Sequence, residues 1–215
     1  MPRGLAIALV GVTGLLLLAS DADDVTAVGS ADGAPVVIEP AGADAVAGAA
    51  SRIIAAMSTR DRAASIVMGH VPSADPATLA SYMASSGIGG FILMGANVPG
   101  SEQELRQVTD ALTLDRALPP VLAIDQEGGD VSRLPWDAFA SSLELKAMTP
   151  DAAGAAFAGR GALVQRAGIG VNFGIVADFT ADPRSFIARR SLGATATDSS
   201  DRVSAAATGE DPFAA

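Results

Sequence analysis

The chain contains no cysteine and a single histidine, His70, among its 215 residues. The first absence excludes disulfides and thiolate-held metals. No remaining group of residues has metal-ligand spacing, so no metal site is expected. Missing cysteine does not by itself assign a compartment. Basic residues are scarce too: 14 Lys and Arg stand against 24 Asp and Glu, a formal charge of −10. Nucleic acid and anionic membrane surfaces repel such a chain, and neither is expected as a partner. There is no phosphate-cradling loop, and no Gly-x-Gly-x-x-Gly follows the first strand, which disfavours a dinucleotide fold. No cofactor is expected.

One uncharged run is long. Residues 4–19 (GLAIALVGVTGLLLLA) follow Arg3 and run into Ser20-Asp21-Ala22-Asp23-Asp24. A basic start, an apolar centre and a polar exit make an export signal over residues 1–20. The chain is therefore expected outside the cell or in its envelope, without stable membrane insertion once the signal is cut. The apolar run falls between a signal core and a spanning helix of roughly 20 residues, so anchoring by an uncleaved N-terminal helix is the alternative. Leu17-Leu18-Ala19-Ser20 resembles a bacterial lipoprotein signal with serine at the lipid-accepting position, where thioether lipidation cannot occur. Residues 21–43, rich in Asp, Ala, Gly, Ser and Pro, read as a disordered linker.

From residue 44 the pattern becomes regular. Helical spacing predicts helices over 45–58, 76–85, 101–114, 138–148, 150–167 and 199–208. Asp75 caps the second with proline next, Ser101 and Glu104 form a capping box, and Gly168 ends the fifth. An apolar piece at 62–68 leads into a strand. Short apolar runs without alternation predict strands at 90–94, 120–124 and 171–176. Strands alternating with helices make βα units on a buried parallel sheet, either doubly wound or part of a (β/α)8 barrel. In both, chemistry is placed just past the C-terminal ends of strands.

One stretch stands out there. LAIDQEGGDVSRL, residues 122–134, ends a buried strand in Asp125-Gln126-Glu127 followed by two glycines. A plain turn needs one glycine and no charge cluster. Asn97 follows the 90–94 strand, and Asp178 and Arg189-Arg190 follow the 171–176 strand. Three strand ends thus send polar groups to one rim. Neutral polyhydroxylated ligands need such a set, because carboxylates accept from hydroxyls while Arg and Asn donate to oxygens. The competing reading is that Asp125 and Arg133 simply pair to shape a loop. Trp136 and Phe139 read as loop anchors rather than a stacking floor for a sugar, and His70 as structural.

These residues carry a resemblance. Asp125-Gln126-Glu127-Gly128-Gly129 with Val131 and Arg133 resembles the D-Q-E-G-G-x-V-x-R stretch of glycoside hydrolase family 3, nearest its bacterial β-N-acetylglucosaminidase branch. GGFILMGAN (89–97), GIGVNFGIVAD (168–178) and IARRSLG (187–193) resemble three further blocks of that family, in the right order. The resemblance implies a retaining glycosidase acting on terminal β-linked N-acetylglucosamine of cell-wall-type oligosaccharides. It implies a loop that closes over the terminal sugar, with Asp125 accepting from sugar hydroxyls and Arg133 and Arg190 holding the same sugar. Glu127 is then loop-shaping, and Asp178 is not the nucleophile.

Some departures from the family are mild: Ile175 stands for proline, Ala188 for glycine, Leu192 for an aromatic. A larger one is that the family's K-H-F-P-G-H-G block, its His-Asp acid/base loop and its aspartate nucleophile have no counterpart, so no catalytic residue is assigned. A complete barrel takes about 250 residues, and about four βα units can be counted here. The expectation is an α/β chain: a signal segment, a linker, and over residues 44–215 the first half of a (β/α)8 TIM barrel, truncated at its C-terminal side and inactive alone. The rival is a non-catalytic sugar-binding or scaffold half barrel, able to self-associate to cover its open sheet edge.

Overall fold

The computed structural model describes residues 6–9, 16–19 and 43–211, in two compact units divided after Ser58. In the first unit, strands β1 (Ala6–Leu9) and β2 (Leu16–Ala19) pair antiparallel, with Ala6 opposite Ala19. Helix α1 (Ala43–Ala56) follows, and its apolar Val46, Ile53 and Ile54 stay exposed. The rest of the expected signal and residues 21–42 of the expected linker lie outside the described residues. Among the described residues, no helix is long and apolar enough to cross a membrane.

The second unit runs α2 (Thr59–Ser65), β3 (Met68–Gly69), α3 (Pro76–Ser86), β4 (Gly90–Leu93), a 3-10 turn (Gly95–Asn97), α4 (Glu102–Leu112) and β5 (Val121–Ile124). Then come α5 (Ser142–Leu145), α6 (Pro150–Arg166), β6 (Val171–Asn172) and α7 (Ala196–Glu210). The four strands form one parallel sheet in the order β3-β4-β5-β6. Gly90 lies opposite Val121, and Ala123 opposite Val171. Each new strand adds beside the last. A doubly wound sheet reverses its order at a switch point; among the described strands there is no reversal. Sequential winding is what a (β/α)8 barrel uses.

The core explains why these runs are strands. Phe91, Leu93, Leu122 and Ile124 are buried against Leu79, Met83, Leu105, Val108, Leu112 and Val164 of the flanking helices. A second cluster joins Leu145, Phe157, Leu192 and Ala206. Asp75 and Ser101 cap as expected, accepting from Thr78 N–H (2.8 Å) and Glu104 N–H (3.3 Å).

Three elements are shorter or differ. The helix expected over 138–148 keeps only Ser142–Leu145. Phe139 N–H instead bonds Asp137 Oδ1, the Ser141–Glu144 capping box delays the start, and Thr149 with Pro150 opens the next helix at once. Strand β6 stops at Asn172 because Gly174 packs directly on the Gln126 carbonyl, turning the chain away. The piece at 62–68 is mostly helix α2, whose last turn sits on Gly89; a Cβ there would overlap the Ser65 carbonyl.

Candidate functional site: a rim of paired charges

The loop after β5 is closed by Glu127 N–H donating to the Val131 carbonyl (3.0 Å). Gly128 and Gly129 adopt φ of 78° and 86°, a region that side chains disfavour. Space demands glycine as well: a Cβ on Gly128 would overlap the Arg160 guanidinium, and one on Gly129 would press 2.8 Å from Ser141 Cβ. Two glycines are therefore needed, one after the other, to hold a charged loop tightly over a buried cation.

The charges are paired in forks. Arg133 donates from Nε to Asp125 Oδ1 (2.6 Å) and from Nη2 to Oδ2 (2.5 Å). Arg190 donates from Nε to Glu127 Oε2 (2.9 Å) and from Nη2 to Oε1 (2.5 Å). Such bidentate pairs fix position as well as charge. Asp125, Arg133 and Arg190 keep 20%, 28% and 29% of their side-chain surface open, while Glu127 keeps 3%. Three groups thus face solvent, and Glu127 is the buried anchor under them. Asp125 holds the Arg133 guanidinium more firmly charged than an isolated arginine. Glu127, then Asp125 and Asp178, do the same for Arg190. An exposed third fork, Arg189 to Asp130 (2.7 and 3.0 Å), runs beside it and pulls the Asp130 carboxyl below the usual range.

The structure thus pairs Asp125 with Arg133, the contact that the loop-shaping reading requires, and seats Arg190 beside them on the buried Glu127. Asn97 does not join them. It is fully buried, and its amide donates to the Val71 and Ser73 carbonyls (2.8 and 2.7 Å) while its oxygen accepts from Met94 N–H. It staples the loop after β3. His70 is exposed, with Nδ1 3.2 Å from the Ile92 carbonyl and its ring tilted against Phe91. Trp136 packs on the core from the loop, and the Phe139 ring lies over Gly159; both are anchors.

Sequence reasoning missed the groups behind the rim. Arg160 of α6 has a fully buried side chain and bonds Asp137 Oδ2 (2.7 Å), itself 1% exposed. Its place was visible: Ala153, Ala156, Phe157, Arg160 and Val164 share the helical spacing of one buried stripe, and only Arg160 on it is charged. Asn172 receives Gln126 N–H (2.9 Å) and returns a bond to its carbonyl (3.1 Å), tying β6 to the loop. Lys146 donates to the Ala188 carbonyl (2.5 Å) and Ser191 Oγ (2.9 Å), holding the turn that presents Arg189 and Arg190; burial lowers its amine. Lys146 carried no sequence signal, since its partners, a backbone carbonyl and a serine hydroxyl, lie more than forty positions away.

Among solved structures, the chain is similar to a glycoside hydrolase family 3 β-N-acetylglucosaminidase from a Paenibacillus species, at 23% identity and a TM-score of 0.66 over 74% of this chain and 32% of that one. It is similar to LpqI of M. tuberculosis, at 25% identity and a TM-score of 0.64 over 75% of this chain and 47% of that one. It is also similar to a glycosyl hydrolase of the GH3 family from Mycobacterium smegmatis, at 28% identity and a TM-score of 0.63 over 75% of this chain and 49% of that one. No family model and no curated protein matches the chain. The fold resemblance is thus to glycoside hydrolase family 3, as the four motif blocks indicated. The likeness to the Paenibacillus β-N-acetylglucosaminidase, at 23% identity, is one of fold. The chain spans a third to a half of the length of these neighbours.

Proposed function

We propose that the chain is the sugar-cradling part of an exported glycoside hydrolase of family 3, acting on terminal β-linked N-acetylglucosamine of cell-wall-type oligosaccharides. Its four βα units are the first half of a (β/α)8 barrel, and the charged rim is the floor of the substrate site. The carrying observation is the pair of forks at the end of β5. Each Asp125 oxygen gives one lone pair to Arg133 and keeps another for a sugar hydroxyl. Arg133 and Arg190 each leave Nη1 without a protein partner among the described residues, free to donate to ring or amide oxygens. With both cations matched by acids, the rim suits a neutral sugar.

A retaining glycosidase needs a nucleophile and an acid/base about 5 Å apart. No residue of this chain is assigned either role, so the chain alone binds sugar and does not hydrolyse it. The test measures N-acetylglucosamine binding by titration and turnover of an aryl N-acetylglucosaminide. The expected result is binding that drops at least tenfold in Asp125→Ala, with no turnover. Turnover abolished by Asp125→Ala would overturn the assignment of catalysis to groups outside this chain. Absence of binding would remove the cradle reading. Binding without hydrolysis is also what a scaffold half barrel would do; the open edges of β3 and β6, each paired on one side only among the described strands, favour that as the second reading.

A further inference from the structure

We infer that Arg160 is a positioning residue for the cradle, acting through Asp137 and Gln126 to set where Arg133 meets Asp125. The inference rests on the cradle reading for its functional consequence but not for its geometry. Asp137 Oδ2 accepts from Arg160 Nε (2.7 Å) and from Gln126 Nε2 (2.6 Å). Gln126 Oε1 accepts from the backbone N–H of Arg133 (2.6 Å) and of Leu134 (2.9 Å). The orientation of the Gln126 amide follows from chemistry: two backbone donors require its oxygen, and a carboxylate requires its nitrogen. From Arg133 the chain of contacts passes to Asp125 through the fork already described. The same guanidinium fills the space under Gly128, so it meets one end of the loop directly and the other through Asp137 and Gln126.

A purely structural role does not explain this arrangement. A buried ion pair is a poor stabiliser compared with apolar groups of the same volume. This one also leaves Arg160 Nη1 buried without a partner, while Nη2 reaches only the Ala140 carbonyl at 3.2 Å. Elsewhere the α6 stripe is Ala, Phe and Val, and Phe157 lies 4.7 Å beneath the guanidinium. A charge kept at an otherwise apolar position, and wired to the loop that presents Arg133, points to geometry as its use.

The experiment compares Arg160→Met, Arg160→Lys and wild type by amide hydrogen exchange and by N-acetylglucosamine titration of the same chain. In Arg160→Met, exchange at the Arg133 and Leu134 amides is expected to accelerate at least tenfold, while Phe91 and Ile124 in the sheet keep their protection. Sugar affinity falls at least fivefold, and Arg160→Lys, which still reaches Asp137, recovers part of both. Should Arg160→Met fail to fold, Asp137→Asn, which weakens the shared acceptor without changing volume, is expected to give the same local acceleration. Unchanged exchange at Arg133 and Leu134 in a folded variant overturns the inference. So does uniform acceleration across sheet and loop, the mark of mere destabilisation. If the wild-type chain binds no sugar yet the two amides respond as expected, the relay stands and the cradle reading is what fails.

Discussion

Glu127 shows how one residue separates shaping from binding. It is nearly the most acidic-looking member of a rim that invites an acid/base role, yet its carboxylate is buried and taken up on both oxygens by Arg190. Its replacement therefore acts through position. Glu127→Gln keeps the volume and loses the charge opposite Arg190; charge-assisted bonds of this kind contribute about 1.5–3 kcal/mol. The expected outcome is a fall in unfolding free energy of that size in urea, with an unchanged m-value. A variant as stable as wild type would show that Arg190 is held by something else. At this scale the sequence was legible for Asp125, an acid placed directly after a strand, while Arg133 and Arg190 were singled out only by the motif resemblance. It was misleading for Asn97, whose amide serves backbone carbonyls more than twenty positions away, a use that no local pattern announces.

Between elements, the most extensive contact is the crossing of α6 and α7. Gly154 and Gly209 let the two backbones touch: a Cβ on Gly209 would overlap the Gly154 carbonyl, and one on Gly154 would come within 3.1 Å of the Ala205 carbonyl. Alanine in a helix interior is normally the better helix former, so propensity alone favours Gly209→Ala. Overpacking against rigid backbone opposes it and costs about 1–3 kcal/mol. The net expectation is a lower melting temperature for Gly209→Ala; an unchanged or higher one would mean that the helices separate freely. Helices α3, α4 and α6 were readable from caps and spacing because those signals are local. The shortening of β6 was not, because it comes from Gln126 in another segment, and that of α5 was missed although its causes, Asp137 and the Ser141–Glu144 box, are local. Sequential strand order was also beyond periodicity, which cannot tell one parallel winding from another; the motif blocks carried that part.

For the molecule as a whole, the last helix reports on pH. Burial pushes the Glu210 carboxyl above its ordinary range, with a hydrogen bond from Asn172 (2.7 Å) and the charge of Arg160 opposing in part. An acid with a higher folded than unfolded pKa binds its proton more tightly when folded. Its contribution to stability is full below the unfolded-state value and is lost as pH rises through the folded-state value. Glu210→Gln keeps an oxygen for Asn172 and removes the titration. The stability gained by this variant over wild type should therefore grow as pH rises from about 4, near the ordinary glutamate value. Denaturant melts of the two proteins across that range provide the check, and a flat difference would remove Glu210 from the account.

Two forks of the rim and one backbone tie join residues far apart in the chain: Glu127 and Arg190 are separated by 63 positions, Asp130 and Arg189 by 59, and Gln126 and Asn172 by 46. Synthesis proceeds from the N-terminal side at about 5–20 residues per second. When the β5 loop leaves the ribosome, the arginines that will neutralise it have still to be made. For several seconds the nascent chain carries three acids at residues 125, 127 and 130 with only Arg133 to match them. The rim is therefore among the last features a newborn molecule acquires, and a chain released before residue 190 would hold the strands but not the grip.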